Sequence, residues 1–482
     1  TLTSGLIELG AVHLHGNYIG KCPSTSPIYR CARAIYDVQD GGKIVFVGAG
    51  TQTYSSEAGA EAVTLEVAKA SGTLQPASGT TELHASNLIL TSGAFVAPTG
   101  TLTLGYAIKV NENNDQGISV TGGTFQHNGG TVKFDWQPSG FASVGTIIDL
   151  DSSITLNNLE LNIFNSLTGA SYDRKQELKV IDQNLIVAGD LTWTSGILSQ
   201  GTIELLGDLA LTCTSASSLR ICASSISDPS VATSLKFTGS GTQTYSQQAG
   251  AGGPVFEVAK PSGTLQAAGG TTDLTISNFS MSSGTFSAPS GNLYLGYDIK
   301  SNFNNLAGFI VTGGTFDHNS GTVHFQWQTY GSAPIAGHVD VTVGTTLNNL
   351  VVDCQNGLSG IYASMHDIDF ATDLTVLGNA SFYAGEFRDQ TITVHGDVTL
   401  TCDGGAGDVD CFNGGSTNIV FAGTSQNYTE AADAGALNDF TIQASSTTTM
   451  QSDMSVDGDL TVDAGTLDRN SNSLSVSGST TT

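Results

Sequence analysis

The sequence predicts an all-β protein: a parallel β-helix, or β-solenoid, built from a tandem repeat of about 191 residues. Three observations predict this class. Long stretches of sequence recur at that period, apolar residues alternate with polar ones over short segments, and no segment has the apolar spacing of an amphipathic helix. Tandem β-sandwich domains, two in each repeat, are the alternative that the same strand pattern allows.

The repeat is visible in the cysteines and in two polar motifs. The three Cys-x8-Cys pairs are Cys22 and Cys31, Cys213 and Cys222, and Cys402 and Cys411. The stretch Gly-Thr-Gln-Thr-Tyr begins at Gly50 and again at Gly241, and Thr-Phe-x-His ends at His127 and again at His318. We therefore divide the chain into a first copy over 1–212, which starts in mid-coil, a second copy over 213–401 and a partial third copy over 402–482.

A shorter motif inside each copy indicates the size of one coil. A small residue and a glycine precede an apolar residue, and a polar turn then leads into an alternating strand. This motif recurs after 30 residues, from Gly93 to Gly123 and from Gly284 to Gly314. Such spacing favours coils that stack on one another around a continuous apolar core.

Two phrases of the sequence resemble a known group of proteins. Residues 458–467 read Gly-Asp-Leu-Thr-Val-Asp-Ala-Gly-Thr-Leu, and residues 347–352 read Leu-Asn-Asn-Leu-Val-Val. They are similar to the β-solenoid repeats of bacterial surface proteins, which include filamentous-haemagglutinin-like adhesins and autotransporter passenger regions. The resemblance extends over most of the chain and implies stacked β-coils at a cell surface.

The charge and the cysteines restrict where the protein works and what it binds. The formal net charge is -27, so nonspecific nucleic-acid binding is not expected. No run of about 20 apolar residues occurs, so we expect no membrane span. Constant spacing around different intervening sequences favours three local disulfides, within the three Cys-x8-Cys pairs, and an oxidising compartment. Zinc is the alternative, and it would need histidine or further cysteine nearby. Cys354 is expected to be a buried thiol.

The two ends of the chain read as parts of one coil. The last ten residues followed by the first fourteen are similar to the internal stretch that begins at Asn184. We therefore expect the last coil of one chain to be continued by the first coil of another, in a head-to-tail contact that does not close. The residues expected at this joint are Leu2, Leu6, Ile7, Leu9, Leu474 and Val476. A piece cut from a longer repeat protein is the alternative, and a start at Thr1 fits either a processed chain or such a piece.

No constellation of side chains indicates catalysis. His127 and His318 occupy the same position in two copies, but no nucleophile or carboxylate recurs with them, so we expect a role in a turn. Phe134 and Trp136 alternate along a strand and are expected to pack in the core rather than to bind sugars. The sequence thus predicts no catalytic residue and no enzyme.

Two further features concern ligands and modification. Five turn aspartates are candidates for Ca2+, although solvated carboxylates are the default: Asp149, Asp151, Asp182, Asp367 and Asp369. No other metal and no cofactor is expected. Three Asn-x-Ser/Thr sequons mark possible glycosylation at Asn278, Asn379 and Asn427.

Together these patterns predict an extracellular or cell-surface structural protein, a β-solenoid protomer that assembles with copies of itself into a filament, sheath or surface layer. An adhesin stalk that binds glycans or cell surfaces is the alternative function. A polysaccharide-active β-helix enzyme is a minor alternative, because no acidic cluster with a basic residue stands out in the sequence.

Overall fold

The computed structural model of the chain describes residues 1, 5–7, 10–21, 32–34, 42–56, 64–105, 117–136, 145–163, 177–213, 224–225, 233–296, 307–326, 337–342, 344–354, 367–388, 390–401, 415–431, 434–443 and 445–482. Within these ranges the chain is all-β and contains no helix. The pairings between the described strands are parallel. The predicted β class is therefore confirmed, with long parallel sheets of the β-solenoid-like kind.

The chain divides into two compact units. The first comprises Thr1–Ser225, Val231–Gly239 and Gln247–Ala251, and the second comprises Ile226–Ser230, Ser240–Ser246 and Gly252–Thr482. The division into sequence copies at residues 212 and 401 stays a prediction.

The strands of the first unit are short and closely spaced along the chain. They are β1 Gly5–Ile7, β2 Ala11–Leu14, β3 Tyr18–Gly20, β4 Ala32–Ala34, β5 Lys43–Phe46, β6 Gln52–Ser56, β7 Thr64–Pro76, β8 Glu82–Ala85, β9 Leu88–Val96, β10 Thr101–Leu104, β11 Ile118–Val120, β12 Thr124–Gln126, β13 Thr131–Trp136, β14 Gly145–Leu150, β15 Thr155–Leu156, β16 Asn158–Ile163, β17 Glu177–Ile181, β18 Leu185–Val187, β19 Leu191–Ser195, β20 Ile197–Leu205, β21 Leu209–Leu211, β22 Ser224–Ser225 and β23 Thr233–Phe237.

The strands from residue 243 onward follow the same pattern and, apart from Gln247, belong to the second unit. They are β24 Gln243–Gln247, β25 Phe256–Ala267, β26 Leu274–Ile276, β27 Phe279–Ser287, β28 Asn292–Leu295, β29 Ala307–Val311, β30 Thr315–Asp317, β31 Thr322–Phe325, β32 Gly337–Val341, β33 Thr346–Leu347, β34 Asn349–Asp353, β35 Asp367–Phe370, β36 Leu374–Val376, β37 Ala380–Ala384, β38 Glu386–Arg388, β39 Thr391–Val394, β40 Val398–Leu400, β41 Asn418–Phe421, β42 Gln426–Glu430, β43 Asp439–Ile442, β44 Thr447–Met450, β45 Met454–Val456, β46 Leu460–Val462, β47 Thr466–Asp468, β48 Leu474–Val476 and β49 Thr480–Thr481.

Apolar residues of successive strands stack into inner columns. One column of the first unit consists of Leu83, Leu102, Val132, Leu159, Leu191 and Leu209. The matching column of the second unit consists of Leu274, Leu293, Val323, Leu350, Ala380 and Val398. All of these side chains are at most 2% exposed. Since side chains alternate across a strand, their neighbours point outward, as the alternation in the sequence predicts.

The predicted 30-residue spacing corresponds to one step of this stacking. Phe95 pairs with Phe125 in parallel register, and Phe286 pairs with Phe316 in the same way. In each pair, one phenylalanine is the apolar residue of one Gly-x-apolar motif, and the other is the apolar residue of the next motif. Parallel pairing of this kind does not fit tandem β-sandwiches, whose sheets are antiparallel.

Glycines with positive φ occur where long strands change direction. The register between β7 and β9 skips from Ala68 to Thr73, and Gly72 and Gly93 at this skip have φ of 85° and 84°. A Cβ on Gly93 would also lie 2.7 Å from the Cβ of Lys69. Both the backbone conformation and the close approach therefore require glycine at position 93.

Candidate functional site: the uncovered ends of the strand ladders

Gly-Asx turns between successive strands stack on one another. In the first unit the backbone N–H of Asp208 donates to Oδ1 of Asp190 at 2.9 Å, and Gly207 packs on the carbonyl of Gly189. A Cβ on Gly207 would clash with that carbonyl. Each turn therefore needs a glycine to approach the turn below it and an Asx side chain to accept a hydrogen bond from the turn above it.

The same stack of Gly-Asx turns, which we call the turn ladder, recurs in the second unit. Each turn is one rung of this ladder. The backbone N–H of Asp397 donates to Oδ1 of Asn379 at 2.8 Å, and a Cβ on Gly396 would lie 2.5 Å from the carbonyl oxygen of Gly378. The last rung is formed by Ser479, whose backbone N–H donates to Oδ1 of Asp459 at 2.6 Å.

Among the described turns, the first rung is formed by Gly16 and Asn17 and is open on one side. Gly16 and Asn17 occupy the positions that Gly207 and Asp208 occupy one repeat later. Oδ1 of Asn17 accepts from the backbone N–H of Thr53 at 2.8 Å, as expected of a rung. However, a Cβ on Gly16 would meet no atom within 4 Å. Among the described residues, Gly16 therefore makes no contact of the kind that Gly207 makes with the preceding turn.

The apolar side chain of Val12, which lies on the strand before this turn, is also uncovered. Val12 on β2 is 45% exposed, whereas its counterparts Ile203 and Ile392 are both 0% exposed. Ile203 is covered by Leu185 of β18, and Ile392 is covered by Leu374 of β36. Within the described residues, β2 pairs only with β5, so no strand covers Val12 in this way.

The last strands also leave apolar side chains partly exposed. Leu474 and Val476 on β48 are partly exposed, although they pair with Met454 and Val456, which are each 1% exposed. Residues at the corresponding positions inside the chain are 0% exposed: Leu185 and Val187 in the first copy, and Leu374 and Val376 in the second. One face of β48 is therefore packed, and the opposite face is open.

The other residues predicted at the joint are described less fully. Leu6 and Ile7 lie on β1 and pair with Arg33 and Ala34 of β4, and their side chains are not described. Leu2 and Leu9 lie outside the described residues. The joint itself stays a prediction.

The predicted disulfides also stay predictions. Cys22, Cys31, Cys222, Cys402 and Cys411 lie outside the described residues. Cys213 is described, and its backbone N–H donates to Oε1 of Gln248 at 3.0 Å. The expectation that Cys354 is buried is confirmed, since it is 2% exposed and its Sγ donates to the carbonyl of Phe325 at 3.5 Å.

The three sequon asparagines differ in accessibility. Asn278 is partly buried, and its Oδ1 accepts from the backbone N–H of Gly308 at 3.1 Å. Asn379 and Asn427 are exposed and belong to the turn ladder, in which Asp397 lies between them. Glycosylation stays a prediction at all three positions.

Three of the five aspartates considered for Ca2+ come together. One carboxylate oxygen from each of Asp149, Asp151 and Asp182 lies within 4.8 Å of the others. Burial, a hydrogen bond with Asp182 and the two neighbouring charges raise the pKa of Asp149. Oxygen ligands of this kind suit a hard cation, but exposed carboxylates also cluster in turns without one. Asp369 instead contacts His338, with 3.2 Å between Oδ2 and Nδ1, and the side chain of Asp367 is not described.

The expected turn and core roles are confirmed where they are described. Nδ1 of His127 accepts from the backbone N–H of Gly129, and Nδ1 of His318 accepts from that of Ser320, each at 3.0 Å. Phe134 and its counterpart Phe325 are fully buried. The side chain of Trp136 is not described, and its counterpart Trp327 lies outside the described residues.

Two fully buried lysines were not singled out from the sequence. Lys69 is 0% exposed, and its Nζ donates to the carbonyl of Gly48 and, at 2.6 Å, to Oε1 of Gln52. Nε2 of Gln52 donates in turn to the carbonyls of Leu14 and Gly16, at 3.0 and 2.6 Å. Burial lowers the pKa of Lys69. Lys260, one repeat later, is also 0% exposed and donates to Gln243.

Comparisons with protein-family models, with curated proteins and with solved structures found no match for this chain. Among the described residues no helix has the length and hydropathy needed to cross a membrane.

Proposed function

We propose that this chain is an extracellular structural protein whose coils close into a β-solenoid and whose ends join head to tail into a filament, sheath or surface layer. Its action is assembly rather than catalysis. The observation that carries the proposal is the exposure of Val12 and β48, since the same positions are fully buried wherever the repeat continues within the chain.

Pairing inside the chain supplies a template for the joint. Leu185 lies opposite Ile203 in the first copy, and Leu374 lies opposite Ile392 in the second. By the same register, Leu474 of one chain would lie opposite Val12 of the next. Burying these apolar surfaces removes them from water and contributes about 25 cal/mol per Å2.

The turn ladder would continue across the same joint. Gly478 would lie beneath Gly16 of the next chain, as Gly189 lies beneath Gly207. The backbone N–H of Asn17 would donate to the hydroxyl of Ser479, which replaces the carboxylate of Asp190. Unpaired strand edges on the two faces would form backbone hydrogen bonds at the same time. Since the two faces differ, each addition leaves a free end, and growth continues.

The proposed setting follows from the cysteines. Three Cys-x8-Cys pairs suit an oxidising compartment, in which each local disulfide would stabilise its loop by about 2–3 kcal/mol in the chain-entropy model. A secreted or surface-bound assembly meets that condition.

A single substitution at Gly16 separates folding from assembly. A leucine at Gly16 has room in the isolated chain but would project into the joint, where glycine is required. We expect Gly16→Leu to keep the unfolding midpoint of the wild type and to abolish polymers in sedimentation and light-scattering measurements. Gly50→Leu is the matched control, because Gly50 is also exposed with nothing within 4 Å, and it should polymerise normally. Wild-type chains that stay monomeric, or Gly16→Leu chains that polymerise normally, would contradict the joint.

A further inference from the structure

A connected network of polar and aromatic side chains lies on the outer face of one sheet in the second unit. Asp273 precedes β26, Asn292 and Tyr294 lie on β28, and His324 pairs with Tyr294 from the neighbouring β31. The residues that alternate with them on β28 and β31 are at most 1% exposed. Because alternate residues point to opposite faces, Tyr294 and His324 face away from the core.

Hydrogen bonds fix the orientation of each group in this network. An ionised carboxylate only accepts hydrogen bonds, so Nδ2 of Asn292 donates to Oδ1 of Asp273 at 2.7 Å. Oδ1 of Asn292 is thereby directed to His324 and accepts from its Nε2 at 2.9 Å. The proton of neutral His324 is therefore assigned to Nε2, which leaves Nδ1 as an acceptor. In the part of the chain that the structure describes, no group donates to Nδ1.

Electrostatics favour the neutral form of the imidazole. Burial lowers the pKa of His324, and this effect outweighs the opposing influence of the Asp273 charge. The pKa of Asp273 is itself lowered, chiefly by the hydrogen bond from Asn292. Asp273 therefore stays ionised and holds Asn292, which in turn holds His324.

Tyr294 and His324 also form an aromatic pair. Their ring centroids are 4.4 Å apart with an interplanar angle of 36°. Both side chains are partly exposed, so apolar ring surface lies beside the open acceptor of His324. Such a surface combines an apolar platform with one directed hydrogen-bonding atom.

We propose that Tyr294 and His324 form a binding site for a neutral polysaccharide. The apolar face of a sugar ring would pack on Tyr294, and a sugar hydroxyl would donate to Nδ1 of His324. A sugar hydroxyl can supply this proton. No lysine or arginine lies on β26, β28, β31 or β34, and the net charge of -27 repels anionic polymers.

The first copy provides a natural control on the same backbone. Glu82, Thr101, Thr103 and Lys133 occupy the positions of Asp273, Asn292, Tyr294 and His324. Lys133 lies 3.5 Å from a carboxylate oxygen of Asp135 and 3.9 Å from one of Glu160, so this surface is charged and has no aromatic pair. The inner columns are apolar in both copies, whereas this outer patch differs between them.

Affinity electrophoresis tests the proposal with gels that contain β-glucan, xylan, galactomannan or, as the anionic probe, polygalacturonate. We expect at least one neutral polymer to retard the wild-type chain and polygalacturonate to leave it unretarded. The double variant Tyr294→Thr/His324→Lys, which installs the residues of the first copy, should bind at least ten-fold more weakly with an unchanged unfolding midpoint. Thr103→Ala/Lys133→Ala is the matched control and should bind like the wild type.

Three results would overturn the proposal: retardation by none of the neutral polymers, equal retardation of the Tyr294→Thr/His324→Lys variant, or preferential retardation by polygalacturonate. The proposal does not rest on the joint, since the assay applies equally to assembled chains and to Gly16→Leu monomers. Retardation of those monomers by a neutral polymer would support the site even if filaments fail to form.

Discussion

At the scale of single residues, the buried lysines are the least ordinary feature of the chain. Lysine is rarely buried completely without a partner of opposite charge. Here its partners are the amide of Gln52 and a backbone carbonyl, and the arrangement recurs at Lys260 with Gln243. The strand alternation already indicated it, because Lys69 follows Leu65 and Val67 at inward positions. The partner could not be predicted, since Gln52 lies on a different strand, β6.

We expect Gln52→Leu to lower the free energy of unfolding by about 1–3 kcal/mol, because it leaves a buried amine and backbone groups without their partners. The double variant Gln52→Leu/Lys69→Met should recover part of this loss, as an apolar pair replaces a polar pair. Gln443→Ala is the control, since this side chain is exposed and the substitution should change stability by less than about 0.5 kcal/mol. Denaturant unfolding measures all three, and a double variant that is no more stable than Gln52→Leu would contradict the coupling.

The two half-buried histidines predict a loss of stability on acidification. Burial lowers the pKa of both His84 and His324 in the folded chain, whereas in the unfolded chain each titrates near 6.5. As the pH falls through that value, the unfolded chain takes up protons first, so the free energy of unfolding decreases until the folded pKa is passed. We expect the thermal midpoint to fall between about pH 7.5 and 5.5, and to fall less in His84→Gln/His324→Gln. An equal fall in both proteins would contradict this assignment.

At the scale of elements, alternation predicted which residues of a strand face the core, as Phe134 and Phe325 confirm. The Gly-x-apolar spacing likewise predicted the step that places Phe95 beside Phe125. The turn ladder was not predicted, although the Gly-Asp pairs are visible in the sequence. Each hydrogen bond in it joins residues about 18 to 36 positions apart, and nothing local identifies the partner.

Glycine is required in the ladder wherever a turn lies beneath it. Gly207→Ala and Gly396→Ala should each lower the free energy of unfolding by about 1–3 kcal/mol, because the added methyl group overlaps the turn below. Gly16→Ala occupies the equivalent position with open space and should leave the monomer unchanged. Denaturant unfolding of the three variants in the monomeric state checks this contrast, and equal costs at all three positions would contradict the ladder.

At the scale of the whole molecule, the sequence repeat predicted the parallel architecture but not the outer surface patch at which the two copies differ. The exchange of Lys133 for His324 and of Thr103 for Tyr294 is visible in the sequence. By itself, an exchange of lysine for histidine is typical of solvated positions. Only the network with Asp273 and Asn292 indicates a shared role for the exchanged residues.

The acidic charge of the chain should make assembly sensitive to salt. Two chains of net charge -27 repel each other as their ends approach, while the described joint residues are uncharged. Raising the ionic strength from about 0.01 to 0.15 M shortens the screening length from about 30 to 8 Å. We expect faster polymer growth at the higher salt concentration in light-scattering measurements. Slower growth would show that attraction between opposite charges drives the contact instead.

The most direct test of head-to-tail assembly is electron microscopy of the unreduced wild-type chain at neutral pH. We expect unbranched filaments whose axial repeat corresponds to one chain, with strands stacked at about 4.8 Å along the axis. Single particles that do not join at any concentration would contradict it.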